Sequence, residues 1–198
     1  MIEFFPMSKS QLPREPAYRL ISWAEYGDLV FRLAEKIKSG SYVRIVALAT
    51  GGLTMSRAIK DYLGIRKLST LEISFYTGIG EKGKTPIITQ SLSSNVEGED
   101  ILIFDDINDS GNTLKTAVAY LKLRGATKIT TATIFQKPHT LFPSDHFVEE
   151  TTDWIIYPDE IQETIKELKK IWGKKPKSAV SASLSAIGFS EEHIKHYL

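Results

Sequence analysis

The sequence contains no cysteine and carries almost no excess charge of either sign. Without cysteine there can be no disulfide, thiolate metal site or cysteine nucleophile, which fits a reducing, cytoplasmic setting. Twenty-five basic and 24 acidic residues give a net charge of +1, so no global field attracts nucleic acid or an anionic membrane. The longest uncharged runs, Ile45–Ser56 and Ser178–Ser190, are shorter than the ~18 apolar residues of a spanning helix. Any anionic ligand must therefore be bound by a local site.

Glycine and proline are also too few for a fibrous or linker-like chain, with 13 and 8 among 198 residues. The length corresponds to about 1.3 domains of ordinary size, so we expect one compact domain with appendages. Strand-like and helix-like segments alternate along most of it, which predicts an α/β fold with a central, mostly parallel sheet flanked by helices. The predicted strands are Tyr42–Ala49, Leu71–Phe75, Ile101–Phe104 and Lys128–Phe135. Helices are predicted from the capping pair Ser22 and Glu25 to Gly40, from Gly52 to Gly64, from Leu114 to Gly125, and from Pro158 to Lys170.

Two segments interrupt this alternation. Tyr76–Asp100 shows no sustained periodicity, and an unstructured stretch of that length inside a compact domain is usually functional, often as a lid. Gly173–Lys177 has the composition of a linker, and Ser190 is a plausible cap for a last short helix. The predicted division is a main domain over residues 1–172, a linker over 173–177 and a helical C-terminal appendage over 178–198.

The most informative segment lies after the third predicted strand, where ligands of parallel α/β sheets bind. Asp105 and Asp106 suit sugar hydroxyls or a divalent cation. A helix N-terminus follows, whose N–H groups and hydroxyls favour a phosphate; it is formed by Ser110, Gly111, Asn112 and Thr113. Turn formation and capping are the commonest uses of Asp and Ser. Three carboxylates, Asp109 included, between an apolar strand and a helix start favour a site for a phosphorylated sugar with a metal.

This segment closely resembles the signature of type I phosphoribosyltransferases, enzymes that use phosphoribosyl pyrophosphate (PRPP). The resemblance implies the type I phosphoribosyltransferase fold, with Tyr76–Asp100 as a mobile hood loop. It also implies that Asp105 and Asp106 hold the ribose hydroxyls with Mg²⁺ nearby, and that Ser110 to Thr113 cradle the 5′-phosphate. Asp109 would lie near N7 of the bound base and manage its proton.

Thr50, Gly51 and Gly52 match the position of the family's pyrophosphate loop, where close backbone approach needs glycine. In the microbial xanthine-guanine enzymes that the sequence resembles most, an arginine precedes the two glycines, and here that residue is Thr50. Pyrophosphate contacts must then come from the backbone, the Thr50 hydroxyl, Mg²⁺ or a neighbour such as Arg57. Lys82 and Lys84 of the hood loop are further candidates.

Two later segments resemble the base-binding parts of 6-oxopurine phosphoribosyltransferases. In Thr133–Pro138, Lys137 takes the place of the lysine that donates to O6 of the base, and an ammonium there would discriminate against the amino group of adenine. Trp154 takes the place of an aromatic residue that stacks on the purine, with the backbone of Ile155 reading position 2. A solvated lysine and a core tryptophan are the alternatives.

The implied reaction is transfer of the phosphoribosyl group from PRPP to N9 of guanine, hypoxanthine or xanthine, with Asp109 and Lys137 as the catalytic residues. The alternatives are a PRPP-sensing regulator on the same fold, which Thr50 supports, and a phosphoribosyltransferase for adenine or a pyrimidine. The family commonly forms dimers or tetramers. The four histidines, His139, His146, His193 and His196, show no ligand spacing and are interpreted as surface or packing residues.

Overall fold

The computed structural model describes residues 17–77 and 84–198. Its elements are β1 (Tyr18–Leu20), α1 (Trp23–Ile37), β2 (Arg44–Ala49), α2 (Leu53–Tyr62), β3 (Lys67–Thr77), β4 (Lys84–Gln90), β5 (Asp100–Asn108), α3 (Asn112–Leu123), β6 (Lys128–Gln136), β7 (His146–Glu150), β8 (Trp154–Ile156), α4 (Ile161–Ile171), α5 (Lys177–Ile187) and α6 (Glu191–Tyr197). Across these two ranges, no helix has both the length and the apolar character that a membrane span requires.

The chain divides into two compact units. The larger unit comprises residues 21–151, and the smaller unit comprises residues 152–198 together with the described N-terminal residues 17–20. This division differs from the expected boundaries at residues 172 and 178. The reason is packing: Trp172 of the expected main domain shares one apolar core with Leu184 and Ile194 of the expected appendage.

The larger unit is built on a six-stranded sheet with the strand order β4-β3-β2-β5-β6-β7. Every neighbouring pair is parallel except β3 with β4, which is antiparallel and lies at one edge. Successive residues of β2 and β5 point to opposite faces of the sheet, and the residues on both faces are buried. Val46 and Ile103 lie on one face, and Ile45 and Phe104 lie on the other. Helix α3 packs on the face of Val46 through Leu114, Ala117 and Leu121. The prediction of a mostly parallel sheet flanked by helices is confirmed.

Helix α1 shows how closely local sequence fixes an element. The Ser22 side chain accepts a hydrogen bond from the Glu25 backbone N–H at 3.1 Å, so the predicted cap is confirmed. The apolar positions Tyr26, Val30, Leu33 and Ile37 recur at steps of three and four and are all buried. The helix contacts α2, β6 and β7.

Two predictions about local structure need correction. Strand β5 does not end at Phe104 but continues through Asn108, because Asp105 pairs with Thr133 and Asn108 with Gln136 of β6. The segment 76–100 is not a continuous loop, since residues 84–90 form β4. The residues 78–83 at its tip, Lys82 included, lie outside the described residues. Strand β7 and helix α5 were not predicted.

The smaller unit has its own apolar core and a two-stranded parallel sheet of β1 with β8. Tyr18 pairs with Trp154 and Leu20 with Ile156. Helix α6 begins at Ser190, whose side chain accepts from the His193 backbone N–H, as the sequence predicted. Leu20 and Tyr18 pack on the core that α4, α5 and α6 form, so the N-terminal strand is part of this unit.

Candidate active site

The larger unit has a topological switch point between β2 and β5. After β2 the chain moves to β3 on one side, whereas β5 lies on the other side of β2 and leads on to β6. At such a point the loops that follow the two strands diverge, and a crevice opens at the carboxyl end of the sheet. The loop with Thr50, Gly51 and Gly52 follows β2, and the segment from Asp109 to Thr113 follows β5. The fold thus brings two of the predicted site segments to one sheet edge.

The glycines after β2 are required by close packing. A Cβ on Gly52 would lie 2.5 Å from the Phe104 carbonyl oxygen and 2.8 Å from that of Leu48. A Cβ on Gly51 would overlap the carboxylate of Asp106. The peptide bond between Ala49 and Thr50 is cis, and Thr50 is exposed. The close approach of these two glycines places the loop backbone directly against Phe104 and Asp106 of β5.

Asp105 and Asp106 are charged residues buried within a strand, with exposures of 9% and 7%. The Asp106 backbone N–H donates to Oδ1 of Asp105 at 3.1 Å, and the Ile107 N–H donates to Oδ1 of Asp106 at 2.8 Å. Burial raises the pKa of Asp105 well above its ordinary value, and the neighbouring charge of Asp106 raises it further. A ligand that donates hydrogen bonds, or a cation, would relieve this repulsion.

Helix α3 begins with an uncapped N-terminus beside these carboxylates. Its N-cap is Gly111, which has no side chain to accept from the first-turn N–H groups, and the first turn carries no acidic residue. Gly111 has a φ of +86°, and a Cβ there would lie 2.6 Å from the Phe142 nitrogen. Ser110 Oγ accepts weakly from the Asn112 N–H at 3.4 Å, and Thr113 is half-buried. An anion is the ligand that such a helix start favours.

The turn after β6 folds back over the end of β5 and carries Lys137. The Lys137 N–H donates to the Asn108 carbonyl at 2.9 Å, and the Leu141 N–H donates to the Ser110 carbonyl at 3.1 Å. Lys137 is half-buried, and its backbone is fixed one strand away from Asp105 and Asp106. The turn therefore ties the backbone of Lys137 to the segment that carries the proposed phosphate loop.

A buried polar network supports this turn from below. Asn108 Nδ2 donates to the Phe142 carbonyl at 2.9 Å and to Ser144 Oγ at 3.1 Å, and Thr140 Oγ1 donates to Asn108 Oδ1 at 3.2 Å. The Ser144 N–H in turn donates to Gln136 Oε1 at 2.8 Å. Sequence reasoning missed Asn108, because its four partners lie 28 to 36 residues away. The position of the turn after β6 therefore depends on buried hydrogen bonds in the folded protein.

Asp109 is the exposed carboxylate of the segment, and its partner was not predicted. His139 Nε2 lies 2.8 Å from Asp109 Oδ1, with the two side chains 66% and 68% exposed respectively. His139 is an exposed surface residue, as interpreted from the sequence, and its imidazole also contacts the candidate site residue Asp109. Only the position after the Lys137-Pro138 pair in the sequence could have pointed to it.

The remaining candidates belong to other elements or show other partners. Arg57, a candidate for the pyrophosphate, is exposed and pairs with Asp61 at 3.4 Å one turn along α2. Of the hood-loop candidates, Lys84 starts β4. Trp154 and Ile155 belong to the smaller unit, where the indole is 52% exposed and Ile155 is buried. A core role for Trp154 is thus not what the structure shows.

Asp105 and Asp106 supply the carboxylate ligands that a protein contributes to a Mg²⁺ site. Within the residues that the structure describes, no group of three or more His, Cys, Asp or Glu side chains could hold a metal. Mg²⁺ is commonly held by one or two carboxylates together with substrate oxygens, so a closed protein cage is not needed. The two adjacent buried carboxylates, one with a raised pKa, fit that arrangement.

Fold and site together define an α/β protein with a candidate ligand site at the switch point of its sheet. Residues 22–164 match the phosphoribosyl transferase domain family. The chain therefore belongs to that family. It is 26% identical over 156 residues to a xanthine-guanine phosphoribosyltransferase of Gluconobacter oxydans, covering 77% of this chain and 90% of the relative. It is 27% identical over 141 residues to that of Idiomarina loihiensis, covering 70% and 84%. The structure of a purine phosphoribosyltransferase from Pyrococcus horikoshii superposes with a TM-score of 0.65 at 30% identity, covering 71% of this chain and 92% of that one.

Proposed function

We propose that this protein transfers the phosphoribosyl group from PRPP to N9 of a 6-oxopurine, releasing pyrophosphate and a nucleoside 5′-monophosphate. The carrying observation is the convergence at one sheet edge of the glycine loop, the paired carboxylates and the uncapped start of α3. The names of the relatives support a 6-oxopurine as the acceptor. The reaction is one of purine salvage.

Different residues bind the ribose, the 5′-phosphate and the pyrophosphate of PRPP. Asp105 and Asp106 accept hydrogen bonds from the ribose hydroxyls, and the N–H groups and hydroxyls of Ser110 to Thr113 bind the 5′-phosphate. The backbone of Thr50 to Gly52 lies against Asp106 and binds the pyrophosphate. These groups hold C1′ of the ribose still while positive charge develops on it, so that positioning and electrostatics lower the barrier.

Lys137 and Asp109 act on the base. The ammonium of Lys137 donates to O6 of a 6-oxopurine, and it would face the donor amino group of adenine unfavourably. Asp109 is exposed at the end of β5, where its carboxylate can accept the proton at N7. Trp154, with half of its indole exposed, is proposed to stack on the purine, and the backbone of Ile155 to read position 2.

The cofactor proposed is Mg²⁺, held by Asp105 and Asp106 with oxygens of PRPP. Bound there, it would supply charge neutralisation for the departing pyrophosphate. The two carboxylates are buried and repel each other, so a bound cation would stabilise their ionised forms. Removal of divalent cations by EDTA should abolish turnover, and added Mg²⁺ should restore it.

A second candidate is a PRPP-sensing protein with binding intact and catalysis lost. Thr50, which is exposed at the position where the family resemblance implies an arginine, is the observation in its favour. A phosphoribosyltransferase for adenine or a pyrimidine is the remaining alternative. We further propose a cytoplasmic homodimer or homotetramer, which size-exclusion chromatography with light scattering would test.

The deciding experiment measures pyrophosphate release with Mg²⁺ and PRPP, in separate reactions with guanine, hypoxanthine, xanthine and adenine. A reaction without base is the control for PRPP hydrolysis. Release with at least one 6-oxopurine and none with adenine is expected. Silence with all four bases, alongside saturable PRPP binding by calorimetry, would refute transfer to these purines and favour the sensor or a base outside the four.

A further inference from the structure

His139 makes a contact that the reaction as described does not use. Its Nε2 atom lies 2.8 Å from Oδ1 of Asp109, within ordinary hydrogen-bond distance. A carboxylate can only accept, so the imidazole nitrogen donates and carries the proton at Nε2. Both side chains remain about two-thirds exposed, which leaves the second carboxylate oxygen open to a ligand.

Backbone hydrogen bonds on both sides of Asp109 hold His139 and Asp109 close to each other. The turn that carries His139 is tied to Asn108 through the Lys137 N–H and to Ser110 through the Leu141 N–H. These two residues flank Asp109 in the sequence, so the turn is anchored on both sides of the carboxylate. The buried Asn108 network fixes the same turn from below.

We propose that His139 is a positioning residue for Asp109. Its hydrogen bond occupies Oδ1 and so fixes the plane of the carboxylate, leaving Oδ2 to meet N7 of the base. An exposed aspartate without this partner would sample several rotamers, and only a fraction would be aligned for the proton. The inference rests on the proposed function, because Asp109 needs alignment only if it handles a proton of the base.

The test compares two substitutions of His139 in the full chain. His139→Gln keeps an N–H donor that can reach the carboxylate, and His139→Leu removes the donor at similar size. With the best 6-oxopurine, we expect His139→Leu to lower kcat about tenfold, the scale of one charge-assisted hydrogen bond, with KM for PRPP unchanged. His139→Gln should recover most of kcat. His193→Leu, an exposed histidine in the smaller unit, is the control for general effects.

A spectroscopic readout tests the pair without any activity. The chain has four histidines, so comparison with His139→Gln assigns the His139 imidazole in a ¹⁵N NMR spectrum. We expect the Nε2-protonated form in the wild type and a clear change in its shifts in Asp109→Ala. Unchanged shifts, or equal kcat in the wild type and His139→Leu, would overturn the proposal. So would a His139→Gln variant as slow as His139→Leu.

Failure of the proposed function has a different signature. A wild-type protein that turns over no 6-oxopurine would remove the catalytic reason for alignment and so defeat the positioning role. The NMR comparison would then still establish whether His139 pairs with Asp109. Turnover that is normal in wild type and in both His139 variants would instead leave the proposed function standing and defeat this inference alone.

Discussion

Replacement of Gly52 by alanine tests whether the loop after β2 must lie against the sheet. The new Cβ would lie 2.5 Å from the Phe104 carbonyl oxygen and 2.8 Å from the Leu48 carbonyl oxygen. Contacts of a real Cβ essentially never fall below 3.0 Å, so the loop or a strand must move by at least 0.5 Å. Both obstacles are backbone atoms of buried central strands, which cannot move aside as a flexible side chain could.

The expected cost follows from this overlap. Overpacking of a well-packed interior typically costs about 1–3 kcal/mol, which corresponds to a Tm lower by about 2–12 °C in a chain of this size. The same displacement disturbs the Gly52 N–H, which donates to the Leu48 carbonyl at 2.8 Å and whose nearness lowers the pKa of Asp105. Because shifts below 1 Å in a site are costly, kcat/KM for PRPP should fall about tenfold or more.

Gly27→Ala is the matched control. Gly27 lies within the N-terminal half of α1, and a Cβ there would meet nothing within 4 Å. Alanine in a helix interior is more stable than glycine by about 1 kcal/mol, so this variant should raise Tm by about 2–4 °C and leave kcat/KM unchanged. Thermal unfolding gives the Tm of both variants, and steady-state kinetics gives their kcat/KM. A Gly52→Ala protein with wild-type Tm and kcat/KM would refute the packing argument.

Four further outcomes are expected. Asp105→Asn removes a buried carboxyl group whose pKa is raised by burial and by Asp106, which means that its ionised form is unfavourable in the folded protein. Calorimetry should therefore show a Tm higher by about 2–4 °C, while turnover is lost. A lower Tm would contradict this. The pKa of Glu99 is lowered from 4.5, first by the Arg44 hydrogen bond at 2.7 Å, so its stabilisation is present above pH 4.5 and is lost as pH falls further. Urea unfolding of Glu99→Gln should therefore show a shallower loss of stability in acid than the wild type, and parallel curves would oppose the assignment. Lys137→Ala should narrow the preference for 6-oxopurines over adenine at least about tenfold, whereas the control Lys122→Ala should not; unchanged relative use would count against the O6 role. Asp109→Asn should lower kcat about 100-fold with little effect on PRPP affinity, and equal losses in both would sink its role at N7.

Elements with a strong local pattern could be predicted from the sequence. The capping pair of α1 and its apolar spacing are local features, and the structure confirms both. Helix α5 lacks such a pattern, because serine and alanine occupy most of its positions and only Val180 and Leu184 are buried. Strand β4 was missed for a related reason, since it is an edge strand with Pro86 and mostly exposed or half-buried side chains.

The candidate site divides in the same way. The segment from Asp105 to Thr113 has a local signature, so its place at the sheet edge could be predicted. That Asp105 and Asp106 lie inside a strand could not, because pairing with β6 overrides the turn preference of aspartate. His139 and Asn108 were missed because their roles depend on a turn that is held by contacts distant in sequence.

The pairing of β1 with β8 imposes an order on folding during synthesis. Tyr18 leaves the ribosome early, but its partner Trp154 is made 136 residues later, about 7–27 s at typical rates of translation. The larger unit is complete in the chain before that moment, whereas β1 must wait without its neighbour. A chain cut after Thr151 would carry β1 on one fragment and the rest of that core on the other. Each fragment would then depend on the other to bury the apolar side chains of the smaller unit.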